Sequence, residues 1–459
     1  MSKQKAIEPK AAHAVEMRKE IWAIAVPAII ESLFNTFSSI IDSKMISQVG
    51  TQAIAAISVT NQPRLFVMCV FFAMNTSLSA LVAHAVGAND KKKANQLLVT
   101  ALTLTIGAAL VLGIGCALLA APIMQVCSGQ KDTMDLSIAY YQILMSTIVF
   151  TACYTLINSA LRGCGNTKVT MVTNIASTLV HIASNFLIIE GRFGFPRLGV
   201  VGAGISCAIG SIVALAISMG VLMRDGQFIS MRYVLSERVR FSMERAHELF
   251  AMWKNICLEN LLTRLGFLLA SMMTARTGSL DTSIYHVTLN LMNINFAIGD
   301  GLQASAVALV GRSVGKHDVG DVRNYTKTIF RAGMGAAVIL MVIFVAGGNW
   351  YYSFFSSDPE FISRGFVAAV LVAVMTPFQI PQIIFNGVLK CMNCTKQTLY
   401  ITVFTVTFLN VVLDYILCFV LGYGLWGIMA ASAVTQIVRA VLLELVYRKH
   451  LPMLESSMA

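Results

Sequence analysis

The sequence predicts an all-α polytopic membrane protein with twelve transmembrane helices, arranged as two parallel six-helix lobes with pseudo-two-fold symmetry. Three observations predict it. The chain is 56% hydrophobic and only 12% charged, where soluble domains carry roughly 25% charge. Its apolar stretches are long enough to cross a hydrocarbon core of about 30 Å and are separated by short polar breaks. The chain also repeats itself: residues 20–50 align without a gap on residues 248–278, a constant offset of 228 (20 against 248). Self-similarity on this scale dictates architecture.

The stretches fall at roughly 21–47, 60–86, 95–121, 135–160, 168–190 and 199–223, then 249–274, 282–311, 326–347, 362–389, 397–421 and 425–447. They do not alternate strictly apolar and polar, so helices are predicted and not barrel strands. The first follows a charged tail with Lys3, Lys5, Lys10, Arg18 and Lys19, has no small-residue cleavage pattern and reads as a retained helix. The tail is expected to be mobile. The long hydrophilic stretch Arg224 to Glu248 joins the halves. The expected organisation is a tail 1–20, an N-lobe 21–223, a linker 224–247, a C-lobe 248–447 and a tail 448–459.

At the same offset Glu31 falls on Glu259, Ser43 on Ser271, Gly50 on Gly278, Val59-Thr60 on Val287-Thr288 and Ala80-Leu81-Val82 on Ala308-Leu309-Val310. Gly87 and Asp90 fall on Gly315 and Asp318, Asn158 on Asn386, and Thr167-Lys168 on Thr395-Lys396. Six spans per half bring both halves in from the same side. Parallel halves of this kind are a common transporter plan, with the substrate site between them.

The net charge is +11, and its location matters more than its size. With the N-terminus inside, tails and inside loops hold about 24 of the 34 Lys and Arg, and outside loops about 5. Lys91-Lys92-Lys93, Arg162, Lys168, Arg312, Lys390 and Lys396 belong to the inside set. Both termini are therefore expected in the cytoplasm of a cell that carries the protein in its inner (plasma) membrane. Charges dispersed over short loops do not make a nucleic-acid surface. Of the ten cysteines, Cys69, Cys116, Cys153, Cys207 and Cys418 read as small apolar packers in spans. The pair Cys391 and Cys394 lacks the second pair that a zinc site needs.

Residues 26–50 (VPAIIESLFNTFSSIIDSKMISQVG) resemble the first helix of the multidrug and toxic compound extrusion (MATE) family, where a proline opens the helix and an Asp about four turns later precedes a terminal Gly. Gly301 to Asp318, Leu161 to Lys168, Leu389 to Lys396, Asn410 to Asp414 and Gly424 to Ser432 are similar to further stretches of that family, in order, over about 20–447. The resemblance implies a cation-coupled exporter of organic, often cationic or amphipathic, compounds. In the family's fifth helix an Asn-x-x-x-Asp pair is common. Here His181 and Asn185 stand at those positions, so a carboxylate is lost and an imidazole gained.

Ionisable groups within spans are costly and are candidate functional groups by default. Glu31 and Asp42 are eleven residues apart, three turns of one helix face, with Asn35 on the same stripe. Acids that share a face can take up and release protons, so coupling is assigned to Asp42, Glu31, Asn35, His181 and Asn185, with protons preferred over sodium. In the second half Glu259 matches Glu31, but Ala270 replaces Asp42. Arg264 or Lys254, in the same span, is expected to neutralise Glu259. Glu259, Asp414, Asn410 and Asp300 are second-lobe coupling or substrate candidates. Gln379, Gln382 and Asn386 follow Pro377 and Pro381 and, with Pro27, are assigned to the substrate cavity, because proline frees backbone carbonyls and bends helices. The 24 methionines suit packing and, where they line a cavity, varied substrates.

Walker A, zinc and nucleophile–base patterns are missing, so the chain is not read as an enzyme and needs neither ATP nor a metal. The expected partners are small organic substrates, protons or sodium ions and the bilayer, with the chain as a monomer. The alternative is a lipid-linked oligosaccharide flippase of the wider superfamily. It is disfavoured because few Arg or Lys lie within spans to form a cationic cavity for pyrophosphate.

Overall fold

The computed structural model describes every residue except 1, 128–132, 190, 195, 225 and 459. In the first half, α1 is Ser2–Ser47, α2 Thr51–Gly87, α3 Lys91–Leu118, α4 Ala120–Cys127, α5 Met134–Ser146, α6 Ile148–Gly163, α7 Thr167–Ile188 and α8 Gly199–Leu222. A short α9 (Met231–Ser236) follows. The second half holds α10 Met243–Thr274, α11 Ser279–Gly315, α12 Val319–Ser353, α13 Pro359–Cys391, α14 Thr395–Thr402, α15 Asn410–Tyr415 and α16 Leu425–Met458. Among the described residues eleven helical spans are long and apolar enough to cross a membrane, and α5 with α6, bent by 47°, supply a twelfth as a pair. The tail does not stand apart, since α1 runs unbroken from Ser2.

The repeat extends to the backbone. Gly50 and Gly278 precede α2 and α11 with φ of 135° and 123°. Asn89 and His317, 228 residues apart, are left-handed at 54° and 59°, as are Gly165 (83°) and Asn393 (61°). Asp90 caps α3 by accepting from the Lys93 N–H at 2.8 Å, and Asp318 caps α12 by accepting from the Asp321 N–H at 2.9 Å. Each cap satisfies a donor that the first helical turn leaves unpaired.

The φ and ψ of Gly278, 123° and 164°, lie where only glycine is at ease. A Cβ there would meet nothing within 4 Å, and the same holds at Gly335 inside α12. Gly278→Ala is therefore expected to destabilise by about 1–3 kcal/mol through the backbone alone. Gly335→Ala should stabilise by about 0.5–1 kcal/mol, because it removes helix-opposing entropy. Thermal midpoints of the two purified variants should move in opposite directions.

The compact units do not follow the 21–223 and 248–447 division. One consists of Met1–Ser32 with Leu258–Ala459, the other of Leu33–Cys257. The first part of α1 packs with the second half of the chain: the Ser305 hydroxyl donates to the Ile21 carbonyl at 3.2 Å, and the Tyr325 hydroxyl donates to Glu20 at 2.5 Å. The first part of α10 packs with the first half, where the Trp253 indole N–H donates to the Val70 carbonyl at 3.0 Å and Glu248 pairs with Lys93 at 3.4 Å. Hydropathy marks where a span lies, but it carries no information on which neighbour buries each part of it.

In the core of the unit Leu33–Cys257, Leu78, Leu97, Leu98, Leu156, Ile157 and Leu222 are fully buried together. Cys69, Cys153 and Cys418 pack as buried apolar groups.

α14 continues through π-helical turns, Val403–Leu409 and Ile416–Val420, which flank α15. The Leu421 N–H donates five residues back to the Ile416 carbonyl at 2.9 Å. Wide turns take up an extra residue without breaking a helix. Thr167 and Thr395, which open α7 and α14, are 228 apart, whereas His181 and Asn410, like Asn185 and Asp414, are 229 apart. The seven-residue π segment before Asn410 absorbs that added residue.

Candidate functional site

In the unit Leu33–Cys257, the far end of α1 brings Asp42 to α7. Asn185 is buried, and its amide Nδ2 donates to Asp42 Oδ1 at 2.9 Å. His181, one turn earlier on the same face, places Nδ1 3.6 Å from Asp42 Oδ2. Its other nitrogen, Nε2, lies 3.2 Å from Asn185 Nδ2, which can only donate, and 3.5 Å from Cys207 Sγ, from α8. When Nε2 accepts from that amide, the ring proton of neutral His181 is on Nδ1, facing the carboxylate. Asn185 Oδ1 has no hydrogen-bond partner among the described residues. Turned about its last bond, the same amide can donate to an ionised Asp42 or accept from a protonated one. A cavity of about 130 Å³ adjoins the cluster, lined by Arg64, Thr151, Ser177, His181, Cys207 and Ser211 among others.

The other unit holds a different arrangement. Glu259 on α10 is buried and its carboxylate is fully engaged. It accepts from Asn386 Nδ2 at 2.8 Å and from the Thr398 hydroxyl at 3.2 Å. Lys390 Nζ stands at 3.4 Å and Arg439 Nη2 at 3.6 Å. Arg439 Nη2 also donates to the Thr402 hydroxyl at 3.0 Å. The neutralising cations are thus Lys390 and Arg439, where the sequence pointed to Arg264 or Lys254. Asp414 is fully buried and accepts from Asn410 Nδ2 at 2.7 Å.

Asp42, His181 and Asn185 come together, as do Glu259 with Asn386 and Asn410 with Asp414. Other candidates stand apart. Glu31 is buried and Asn35 exposed. Glu31 belongs to the unit Met1–Ser32 with Leu258–Ala459 and Asp42 to the unit Leu33–Cys257, so the two acids of the stripe fall in separate units. Asp300 is exposed on α11. Gln379 is buried and accepts from Asn295 Nδ2 at 3.0 Å, and Gln382 donates to Gln436. Pro27 is buried within α1, and Pro377 and Pro381 lie inside α13.

Four participants escape sequence reasoning: Arg64, Cys207 as a polar group, Lys390 and Arg439. Their signal is present, since Arg64 and Arg439 are isolated cations within apolar spans. Hydropathy places Lys390 in an inside loop, yet it is buried in the last turn of α13.

Among the described residues, eleven apolar spans and one bent pair fall into two similar halves, the plan of a duplicated membrane transporter. The chain belongs to the MatE (multidrug and toxic compound extrusion) family, whose model matches residues 27–187 and 256–416. It is 24% identical to the uncharacterized transporter YisQ of Bacillus subtilis over 92% of both chains. It is 21% identical to a probable multidrug resistance protein, NorM, of Thermotoga maritima, over 90% of this chain and 88% of the relative. The fold matches an outward-facing multidrug resistance MATE transporter of the MOP superfamily with a TM-score of 0.89, at 15% identity, over 96% of this chain and 97% of that one.

Proposed function

We propose that the protein is a secondary active exporter of drug-like organic compounds, cationic or amphipathic, exchanged for protons by alternating access. It works as a monomer in the cell membrane with both termini in the cytoplasm, as the distribution of its Lys and Arg favours. The observation that carries the reading is the contrast between two acids within spans. Glu259 is buried and held by two cations. Asp42, half-buried, faces a neutral amide and a titratable imidazole beside a cavity, the environment of an acid that changes its protonation state.

Protons are favoured over sodium by ligand chemistry. His181, which cannot serve as an oxygen ligand, and the Cys207 thiol stand beside Asp42, and only one carboxylate and one amide oxygen, of Asn185, are at hand there, while hard cations select several oxygens. His181 and Asn185 relay and report the proton, and substrate and proton compete for the state of Asp42.

The test is dye efflux in vesicles with one gradient imposed at a time. A proton gradient in sodium-free medium is expected to drive transport. Transport that needs sodium and persists when the proton gradient is collapsed would overturn the proton assignment.

A further inference from the structure

Arg64 is a cation without a counter-ion at hand. It belongs to α2, an apolar span of the unit Leu33–Cys257. Among the described residues it makes no ion pair and no hydrogen bond. Charge within a span is costly unless something offsets it, and it marks a ligand path more often than not. The acid beside the same cavity, Asp42, is engaged by Asn185 and His181, and it loses its charge whenever it takes up a proton. A guanidinium stays ionised at every working pH, so Arg64 then faces the cavity alone.

That cavity, of about 130 Å³, is close in size to one of roughly 150 Å³ that accepts benzene, so a molecule of about six heavy atoms fits. Polar atoms make most of its accessible wall. Arg64, Thr178, Thr151 and Ser211 decide what it takes, and each keeps part of its surface open. Arg64 and Thr178 are the donors. The Thr178 hydroxyl has no partner among the described residues, and neither it nor the guanidinium is shut in by protein. Thr151 and Ser211 are the acceptors. The Ser211 hydroxyl donates to the Cys207 carbonyl at 2.9 Å. Thr151 Oγ1 lies 2.9 Å from Ser211 Oγ, so Thr151 is the donor of that pair. Both hydrogens are spent, and both oxygens keep lone pairs for a hydrogen that a ligand brings. Met68 and Leu144 give the cavity an apolar side. The walls thus suit an anionic end with a hydrogen-bond donor next to it, in a molecule of few atoms.

We propose that this cavity binds a short hydroxycarboxylate: Arg64 and the Thr178 hydroxyl take the carboxylate, and the ligand's own hydroxyl donates to Thr151 or Ser211. Its carbon end lies against Met68 and Leu144. Guanidinium matches carboxylate through two parallel N–H···O bonds. The protein's ligands then include small hydroxy acids beside cationic and amphipathic compounds. That these acids are exported rests on the export reading above; their binding does not.

The experiment measures binding to the purified full-length protein in detergent, with no ion gradient, by ligand-detected NMR and calorimetry. Lactate is compared with lactamide, which keeps the hydroxyl and loses the charge, and with propanoate, which keeps the charge and loses the hydroxyl. Chloride and phosphate are titrated alongside. Lactate is expected to bind about tenfold more tightly than lactamide, the worth of one charge-assisted pair. It should bind about fivefold more tightly than propanoate, the worth of one neutral hydrogen bond. Arg64→Gln should abolish the first difference, and Ser211→Ala should shrink the second. If Arg64→Gln does not fold, Thr178→Val decides: it should weaken lactate and propanoate alike, and an unchanged lactate affinity would overturn the site. Equal binding of lactate and lactamide, a preference that survives Arg64→Gln, or no lactate binding at all would do the same. Propanoate as tight as lactate would overturn the hydroxycarboxylate class. Tighter binding of chloride or phosphate than of lactate would make this an inorganic anion site and overturn the organic assignment. Asp42→Asn, which tests export, should still bind lactate, so the two readings fail separately.

Discussion

Asp42→Asn is expected to cut proton-driven efflux sharply while the protein is made and folded normally. The substitution keeps the shape of the side chain and removes its proton exchange. Asn185, which donates to Asp42 Oδ1 at 2.9 Å, can donate equally to an amide oxygen at position 42, so the local hydrogen bond survives. What is lost is coupling. Two ligands that compete through one group are typically coupled by about 5–150-fold in affinity. Efflux should therefore fall by about tenfold or more, and residual transport should no longer respond to pH. Efflux rates at several external pH values, with protein levels checked by fluorescence, measure this. Wild-type rates with a wild-type pH response would remove Asp42 from the coupling role. His181→Gln should shift the pH response with a smaller loss of rate, because its imidazole sits second in line behind the carboxylate at 3.6 Å.

Glu259→Gln should be among the most destabilising single substitutions in the second unit. It leaves Lys390 and Arg439 as two buried cations with no carboxylate between them. Removing one partner of a buried ion pair costs about 3–5 kcal/mol. Lys390→Met works the other way. It leaves one acid with one cation, Glu259 with Arg439, and fills the ammonium's place with an apolar chain of similar length. The expected change is small, about 1 kcal/mol in either direction. The sign of the charge imbalance, not the number of hydrogen bonds broken, separates the variants. Thermal unfolding of both variants and the parent protein in the same detergent decides the matter. Equal loss in both variants would show that the cluster is held by geometry and not by charge.

The helices are legible because hydropathy and the 228-residue repeat are local properties of the chain. Asp42, His181 and Asn185 are each legible as candidates because polar groups are rare in these spans, but the sequence pairs Asp42 with Glu31, and only the structure brings it to His181 and Asn185. The Glu259 cluster is not. Its cations come from α13 and α16, and no spacing within α10 could name them. Lys390 is misplaced by one boundary. Hydropathy ends that span at 389, because a lysine reads as solvent-seeking, while α13 runs on to Cys391. Its burial is set by a carboxylate more than a hundred residues away in sequence. The Glu31–Asp42 pairing fails differently. Helical phase gives the face and says nothing of axial distance. The cut between compact units, at Ser32 and Cys257, leaves no trace in composition, because apolar side chains suit either neighbour.

The wide turn before Asn410 bears on how such a duplicated chain ages. One added residue in a regular helix rotates everything beyond it by about 100°, which would have swung Asn410 and Asp414 off their face. Here the rotation is taken up inside Val403–Leu409. Room for the swelling comes from Gly266, where a Cβ would stand 2.9 Å from the Val406 carbonyl oxygen. The two copies thus differ in length by one residue while the polar pair keeps its four-residue spacing, and the facing helix presents no side chain at that height. A facing glycine is what lets one half carry a residue that the other lacks.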